Sequence, residues 1–278
     1  MTERIGINLL TCNAVGNPLH LRAAQYAVRS LVASDIQRYD WRLQIVDNGS
    51  DCPATHEWLD ELQGNVRVAI HRLGANAGIA KGRNIGWELL SDWRPDFGVE
   101  IHTDHIFPAT WLVPLVAWTQ QHLRIGMCGC ALVTQGHAWG SPQVEISYDW
   151  PYEHCWNEIE KATRLHRRRG HMTEGLSHPA VYPWGALQEM GFYDGAMPGL
   201  QELEDIELAY RLTKAGWLVV IYHGSYVWHH YHFSRLVLND WATSYDANNL
   251  YCQMKHGPEF IKFATTTVGN WMERAYKR

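Results

Sequence analysis

Apolar and polar positions alternate in a regular rhythm over the first half of the chain. An apolar run at 4–11 reads as a buried strand and gives way at 18–33 to apolar positions at helical spacing. The pair then recurs. Strand 42–47 precedes helix 54–63, strand 66–71 precedes helix 79–91, strand 97–102 precedes helix 110–122, and strand 126–134 follows. Such alternation predicts a parallel, Rossmann-like sheet covered by helices. The rhythm fades over 136–181, which is rich in Gly, Pro, His and aromatic residues. It returns with a helix at 202–216, a strand at 217–222, and a helical C-terminal part over about 235–275 broken at Gly257-Pro258. In helix 202–216 the apolar stripe is Leu208, Leu212 and Ala215, acids fill the first turn, and Gly216 supplies the stop.

Polar clusters interrupt this pattern where strands end. Asp47-Asn48-Gly49-Ser50-Asp51 closes strand 42–47. Loops at the carboxyl ends of parallel strands are where ligands bind, and a carboxylate there can accept a hydrogen bond from a nucleobase N–H. An Asx-type turn would use the same residues without a ligand. The stretch Asn76-Ala-Gly78-Ile-Ala-Lys81-Gly82-Arg83-Asn84 is a Gly-rich turn entering a helix with two cations. It suits a diphosphate held by backbone donors and positive side chains. His102-Thr103-Asp104-His105 ends strand 97–102 with imidazoles and a carboxylate, all potential metal ligands. Farther on, Glu204-Asp205 opens a helix, and Trp228-His229-His230-Tyr231-His232 gathers three histidines.

In this order and spacing the segments resemble the family-two inverting glycosyltransferases with the GT-A fold. The resemblance covers about 4–135 and 182–232, and draws also on the opening strand Ile5–Asn13 and the Gly191-Phe-Tyr-Asp194 turn. It implies an α/β fold of GT-A type: a Rossmann-like, mostly parallel central sheet flanked by helices, with an acceptor-side region and a helical C-terminus. Residues 1–135 would form the nucleotide-sugar-binding half, 136–234 the acceptor-binding and catalytic half of the same domain, and 235–278 a C-terminal helical segment.

The implied activity is metal-dependent inverting transfer of a hexose-type sugar from a nucleotide-diphosphate donor to an acceptor hydroxyl. The implied donor contacts are Thr11, Asn13, Asp47, Asn48, Gly78, Lys81, Arg83 and Thr103. For Arg83 a helix-surface ion pair, with Glu88 or near Asp104, is the alternative. Asp205 takes the role of base. Glu204 points about 100° away from it and would do a separate job, binding a donor or acceptor hydroxyl. Trp184 would line the acceptor side. In the resembled family a strand-end Asp-x-Asp grips the ion. Counting back from Trp111-Leu112 puts Asp104 on the second acid and His102 in place of the first, with His105 as a rival and His229 as the third contact. Mg²⁺ demands oxygen ligands more strictly than softer ions do, so an imidazole in the shell favours Mn²⁺ over Mg²⁺.

Composition narrows the alternatives. The 278 residues, 46% of them hydrophobic, are enough for one large α/β domain with a small appendage. A formal charge of -5 does not point to nucleic-acid binding. No apolar run has the length of a membrane span, and Met-Thr-Glu-Arg leads directly into a core strand without a signal peptide. The six cysteines lack Cys-x-x-Cys spacing and read as mostly buried thiols in a reducing compartment. The expectation is a cytoplasmic protein, with peripheral contact at the inner face of the membrane through basic and aromatic residues such as Arg167–Arg169. Among the aromatics, Trp139, Tyr148, Trp150, Tyr152 and Trp156 are candidates for acceptor contact. The acceptor class is open: glycan, lipid-linked sugar, protein, small molecule or modified nucleic acid. Two other functions fit parts of the pattern, a nucleotidyltransferase on a related fold and a non-catalytic nucleotide-sugar-binding protein. The Glu-Asp helix and the late histidine favour sugar transfer.

Overall fold

The computed structural model describes residues 2–13, 16–135, 141–168, 170–230 and 241–267. Its first half is built from β1 (Arg4–Thr11), α1 (Pro18–Ala33), β2 (Asp40–Asp47), α2 (Pro53–Gln63), β3 (Val68–Arg72), α3 (Ile79–Ser91) and β4 (Phe97–Ile101). The strands lie in the order β3-β2-β1-β4, all parallel, as the alternation predicts. One face of the sheet packs on α1 and α2 through residues such as Leu31 and Leu59, and the other on α3 through Trp87 and Leu90. Helix α3 lies tight on β1. A Cβ on Gly86 would come within 2.3 Å of Asn8 Oδ1, and one on Gly82 within 2.5 Å of Leu10 Cδ1. Only glycine allows that approach.

The second half contains β5 (His105–Ile106), α4 (Leu112–Gln121), β6 (Ile125–Gln135), α5 (Tyr152–His166), β7 (Met172–Glu174), β8 (Ala180–Pro183), α6 (Trp184–Glu189), α7 (Glu204–Lys214), β9 (Leu218–His230), α8 (Trp241–His256) and α9 (Pro258–Thr267). Here the sheet is mixed rather than mostly parallel. Strand β8 runs antiparallel between β4 and β6, β6 is parallel to β9, and β9 carries β5 and β7 antiparallel. The region read as irregular over 136–181 therefore supplies strand β7, the start of β8 and a 15-residue helix. Helix α5 does have a helical stripe, with Tyr152, Cys155, Ile159 and Ala162 buried, but polar and charged residues outnumber the apolar ones and hide the period. Strand β8 has four residues, too few to show a period.

Strand β9 continues well past 222. Between Tyr222 and Tyr226 its register against β6 shifts, and the far half then pairs His229 with His105 across β5. In α7, Leu208 and Leu212 are buried as expected. Ala215 is exposed at the C-cap, and Ile206 and Ala209 complete the buried face. Helices α8 and α9 pack on α7 through Cys252, Phe260 and Tyr210. Cys128, Cys130, Cys155 and Cys252 are buried free thiols, while Cys12 and Cys52 are half-buried. Among the described residues no helix is long and apolar enough to cross a membrane.

Candidate active site

The end of β4 and the pairing of β5 with β9 bring four side chains together. His102, Asp104, His105 and His229 place ligand atoms within 4.8 Å of one another. His229 Nε2 lies 3.5 Å from Asp104 Oδ2, while Asp104 Oδ1 is buried without a hydrogen-bond partner among the described residues. An orphaned carboxylate oxygen in such a place suits a cation. The histidines divide by their hydrogen bonds. The backbone N–H of His102 donates to His105 Nδ1 at 3.1 Å, which leaves the proton of neutral His105 on Nε2. Burial holds His105 well below the usual histidine range, so it stays neutral and has no lone pair to offer. His102 is the reverse. Its Nε2 faces Glu100 Oε1 at 3.4 Å, which makes that nitrogen the donor and keeps the Nδ1 lone pair available. A ligating imidazole oriented by a carboxylate behind it is a common metal-site arrangement. Burial lowers the His102 pKa to about 4, against the opposing pull of Glu100, so the ring is neutral and able to bind an ion.

Glu100 is a hub that the sequence reading passed over. It sits in the middle of β4, buried, and accepts from the Tyr193 hydroxyl. Arg83 Nε lies 3.4 Å from Glu100 Oε1, and His178 Nδ1 lies 3.8 Å from the same oxygen. Burial alone would raise the Glu100 pKa. The charges of Arg83 and His178 and the bond with His102 outweigh it and hold the carboxyl well below its usual range. Glu100, His102 and His178 also have metal-site spacing, but the guanidinium of Arg83 already occupies the place of a cation beside Glu100. Two signals pointed here. Arg83 falls within the apolar stripe Ala80, Arg83, Trp87, Leu90 of α3, and Glu100 is the one charge in a wholly buried strand. A charge at a core position needs a partner in the core.

On the other side of His178 lies the entrance to α7. His178 Nε2 is 3.7 Å from Asp205 Oδ2. Glu204 is the first residue of the helix, and its Oε2 is buried without a hydrogen-bond partner among the described residues. Burial, and then the charge of Asp205, raise the Glu204 pKa well above the ordinary range. The chain reaches this helix through two non-glycine residues at positive φ, Glu202 at 76° and Leu203 at 70°. Such backbone costs energy and persists only where its surroundings enforce it. Asn248 of α8 enforces it. Its amide donates to the carbonyls of Gln201 and Glu202 at 2.9 and 2.8 Å, and its oxygen accepts from Gly199 N at 2.7 Å.

The expected donor residues gather at the carboxyl ends of β1 and β2, with exceptions. Thr11 and Asp47 end paired strands, and Asn48 N donates to Thr11 O at 2.7 Å. Asp47 Oδ1 accepts from Ser50 N at 3.0 Å, so the Asx turn forms. Asn48 clasps the α3 entrance through Ala77 N and Gly78 O. Gly78 opens α3 at φ 86°, and Ile79 N donates to Leu200 O, which ties this turn to the loop before α7. Thr103 is buried in the turn between His102 and Asp104. Asn13 bonds with its side chain to Asn17 in its own loop and to Thr55 at the start of α2. Lys81 is exposed.

Arg83 is neither a surface ion pair nor turned to solvent. It is 3% exposed, and it bonds Asn8 O and faces Glu100. Trp184 is 6% exposed, packed against Trp87 and Phe192, so its ring face is covered. Of the other aromatics, Tyr148 and Tyr152 are buried and Trp156 donates to Phe107 O; Trp150 is exposed. Arg167 donates to Thr110 O. Trp139, Arg169 and His232 lie outside the described residues.

The family model for glycosyl transferase family 2 matches residues 21–191, more than half of the chain. The chain belongs to glycosyl transferase family 2. This glycosyltransferase is similar in structure to GalNAc-T7, crystallised with UDP, GalNAc and Mn²⁺, at a TM-score of 0.61 and 16% identity over 83% of this chain and 43% of that one. It is also similar to S. aureus TarS 1-349, at 0.60 and 12% over 96% and 74%. The S. aureus TarS 1-349 structure in complex with UDP-GlcNAc gives 0.56 and 12% over 82% and 58%. The family-two chain thus spans under half the length of the GalNAc-T7 chain. At these identities the likeness is one of fold, and the fold is the GT-A fold. No curated protein matches by sequence.

Proposed function

We propose that this glycosyltransferase moves a hexose-type sugar from a nucleoside-diphosphate donor to an acceptor hydroxyl with inversion, using a divalent cation held by Asp104, His102 and His229. One observation carries the reading. The candidate base Asp205 and the candidate ion centre at Asp104 belong to one continuous polar cluster, linked through His178, Glu100 and His102. A base at one end and an ion-holding centre at the other are what a single in-line displacement requires.

Asp205 takes the acceptor proton as the acceptor oxygen attacks the anomeric carbon, and the bond from that carbon to the diphosphate oxygen breaks with its electron pair. Once bound, the cation supplies charge stabilisation for the departing diphosphate. Two imidazoles beside one carboxylate favour Mn²⁺ over Mg²⁺. Thr11, Asp47, Asn48, Gly78 and Thr103 line the donor side, with Lys81 near the diphosphate. Asp47 would accept an N–H from the base, with His56 Nε2 3.7 Å from its Oδ2. Glu204, with its raised pKa, is a hydrogen-bond donor for a sugar or acceptor hydroxyl. Uridine nucleotides are the first donors to try, since the GalNAc-T7 and TarS structures contain UDP and UDP-GlcNAc.

Calorimetric titration of UDP, GDP and dTDP and their sugars, each with Mn²⁺, with Mg²⁺ and without metal, tests this. The expected result is one nucleotide that binds with the cation and not without it, more tightly with Mn²⁺. Binding of none of them, or equal binding with and without metal, rejects the reading.

A further inference from the structure

We propose that His178 is a positioning residue for the base, a prop between the fixed carboxylate of Glu100 and the free oxygen of Asp205. The proposal rests on the reading of Asp205 as the base and adds a residue to it. Four observations support it. His178 is 8% exposed, and among the described residues neither ring nitrogen has a hydrogen-bond partner. Carboxylates face it on both sides, Glu100 Oε1 at 3.8 Å from Nδ1 and Asp205 Oδ2 at 3.7 Å from Nε2. Each gap exceeds a hydrogen bond by about half an ångström, and catalytic hydrogen bonds are often this long before substrate is bound. The imidazole is thus buried between two carboxylates.

The geometry also gives the prop a rigid footing. Glu100 is held by Arg83 and by the Tyr193 hydroxyl. The His178 ring stacks on His102 at 4.9 Å between centroids, tilted by 27°, which blocks movement toward the ion centre. At the far end, Asp205 Oδ1 accepts from Ile206 N at 2.7 Å and is fixed to the start of α7. Oδ2 is the oxygen left to meet an acceptor hydroxyl. With Oδ1 pinned, a contact on Oδ2 sets the plane of the carboxylate, and so the direction of its lone pairs. Misplacing a reacting group by about 1 Å can cost about 100-fold in rate.

The test uses the full chain with Mn²⁺ and follows nucleotide release from UDP-GlcNAc, UDP-galactose, GDP-mannose and dTDP-glucose, with water standing in for the acceptor. Wild type, Asp205→Asn, His178→Phe, His178→Gln and the double variant His178→Phe/Asp205→Asn are compared on whichever donor is turned over. His178→Phe keeps the ring stacked on His102 and removes both nitrogens. The expected result is a fall in kcat of about 100-fold with donor KM within about threefold. His178→Gln, which restores a donor group facing Asp205, should recover part of it, and it substitutes for His178→Phe if that variant does not fold. The double variant should be no slower than Asp205→Asn alone, because a residue that acts only through another adds nothing once that one is gone.

An unchanged kcat in His178→Phe, a loss confined to KM, or losses that multiply in the double variant would overturn the role of His178 while leaving Asp205 as base. Full activity of Asp205→Asn would overturn the base reading first, as would no turnover of any of the four donors, and the prop falls with it.

Discussion

Strands β3, β2, β1 and β4 run parallel, and the loops after β1, β2 and β3 combine short local turns with bonds to one another, such as Asn13 to Thr55 and Asn48 to Ala77 and Gly78. Ser50 bonds Asp47, Asn17 bonds Asn13, and Asn76 bonds Gly78 N. The other half of the sheet is assembled from distant pieces. Strand β8 enters antiparallel between β4 and β6, and β9 carries the far histidine back beside β5. Its polar groups reach across the chain, Tyr193 to Glu100 and Asn248 to Gln201 and Glu202. The contrast matters for function. On the proposed reading, a local turn can change to suit a different nucleotide without disturbing the core. The polar cluster between Asp104 and Asp205 cannot, because its buried charges, Glu100 and Arg83, are also internal supports.

Four substitutions sharpen or break that contrast. The largest effect is expected at the ion centre. Asp104→Ala should abolish cation-dependent nucleotide binding in calorimetry, and unchanged Mn²⁺ dependence would remove Asp104 from the shell. Next comes Glu100→Ala. It leaves the buried guanidinium of Arg83 uncompensated, a loss of about 3–5 kcal/mol in denaturant unfolding. Because Glu100 has a folded pKa below its ordinary value near 4.5, its contribution is present above that value and fades as pH falls through the depressed range. The wild type should therefore lose stability steeply below about pH 4.5, and Glu100→Ala should lose less. A mild, pH-independent effect would mean that the hub is decorative.

Third, Asn248→Ala removes the amide that holds the strained turn before α7. Unfolding free energy should fall by about 1–3 kcal/mol, with kcat reduced and nucleotide affinity kept. Loss of nucleotide affinity instead would show that the two halves are coupled through Leu200 and Ile79. The smallest effect, and one of opposite sign, is at Glu204. Its folded pKa lies above the ordinary value near 4.5, so the folded state binds more protons and stability falls as pH rises through the interval between the two. Glu204→Gln removes that slope. Its urea midpoint should exceed wild type at pH 8 and match it at pH 4, and equal midpoints at both would assign Glu204 no stored cost.

The sequence by itself determined the strand–helix alternation through β4, the turn holding His102 and Asp104, and the acidic entrance to α7. Each is a local matter, in which neighbouring residues fix the period of burial or the chemistry of a loop. The breaks came where a side chain's fate depends on what packs against it. Arg83 reads as a helix cation, yet it turns inward because Glu100 lies under α3. Trp184 reads as an open aromatic, yet Trp87 and Phe192 cover it. His178 carries no local signal at all. It lies in an aperiodic stretch, and only the antiparallel insertion of β8 beside β4 puts it between Glu100 and Asp205. Periodicity says which face of an element is buried; the partner of a polar group on that face is set by chain segments far away. The Glu100–Tyr193 bond spans 93 residues, and those between Asn84 and Tyr193 span 109. Tertiary packing alone could bring those groups within hydrogen-bonding distance, and with them the link between the two ends of the site.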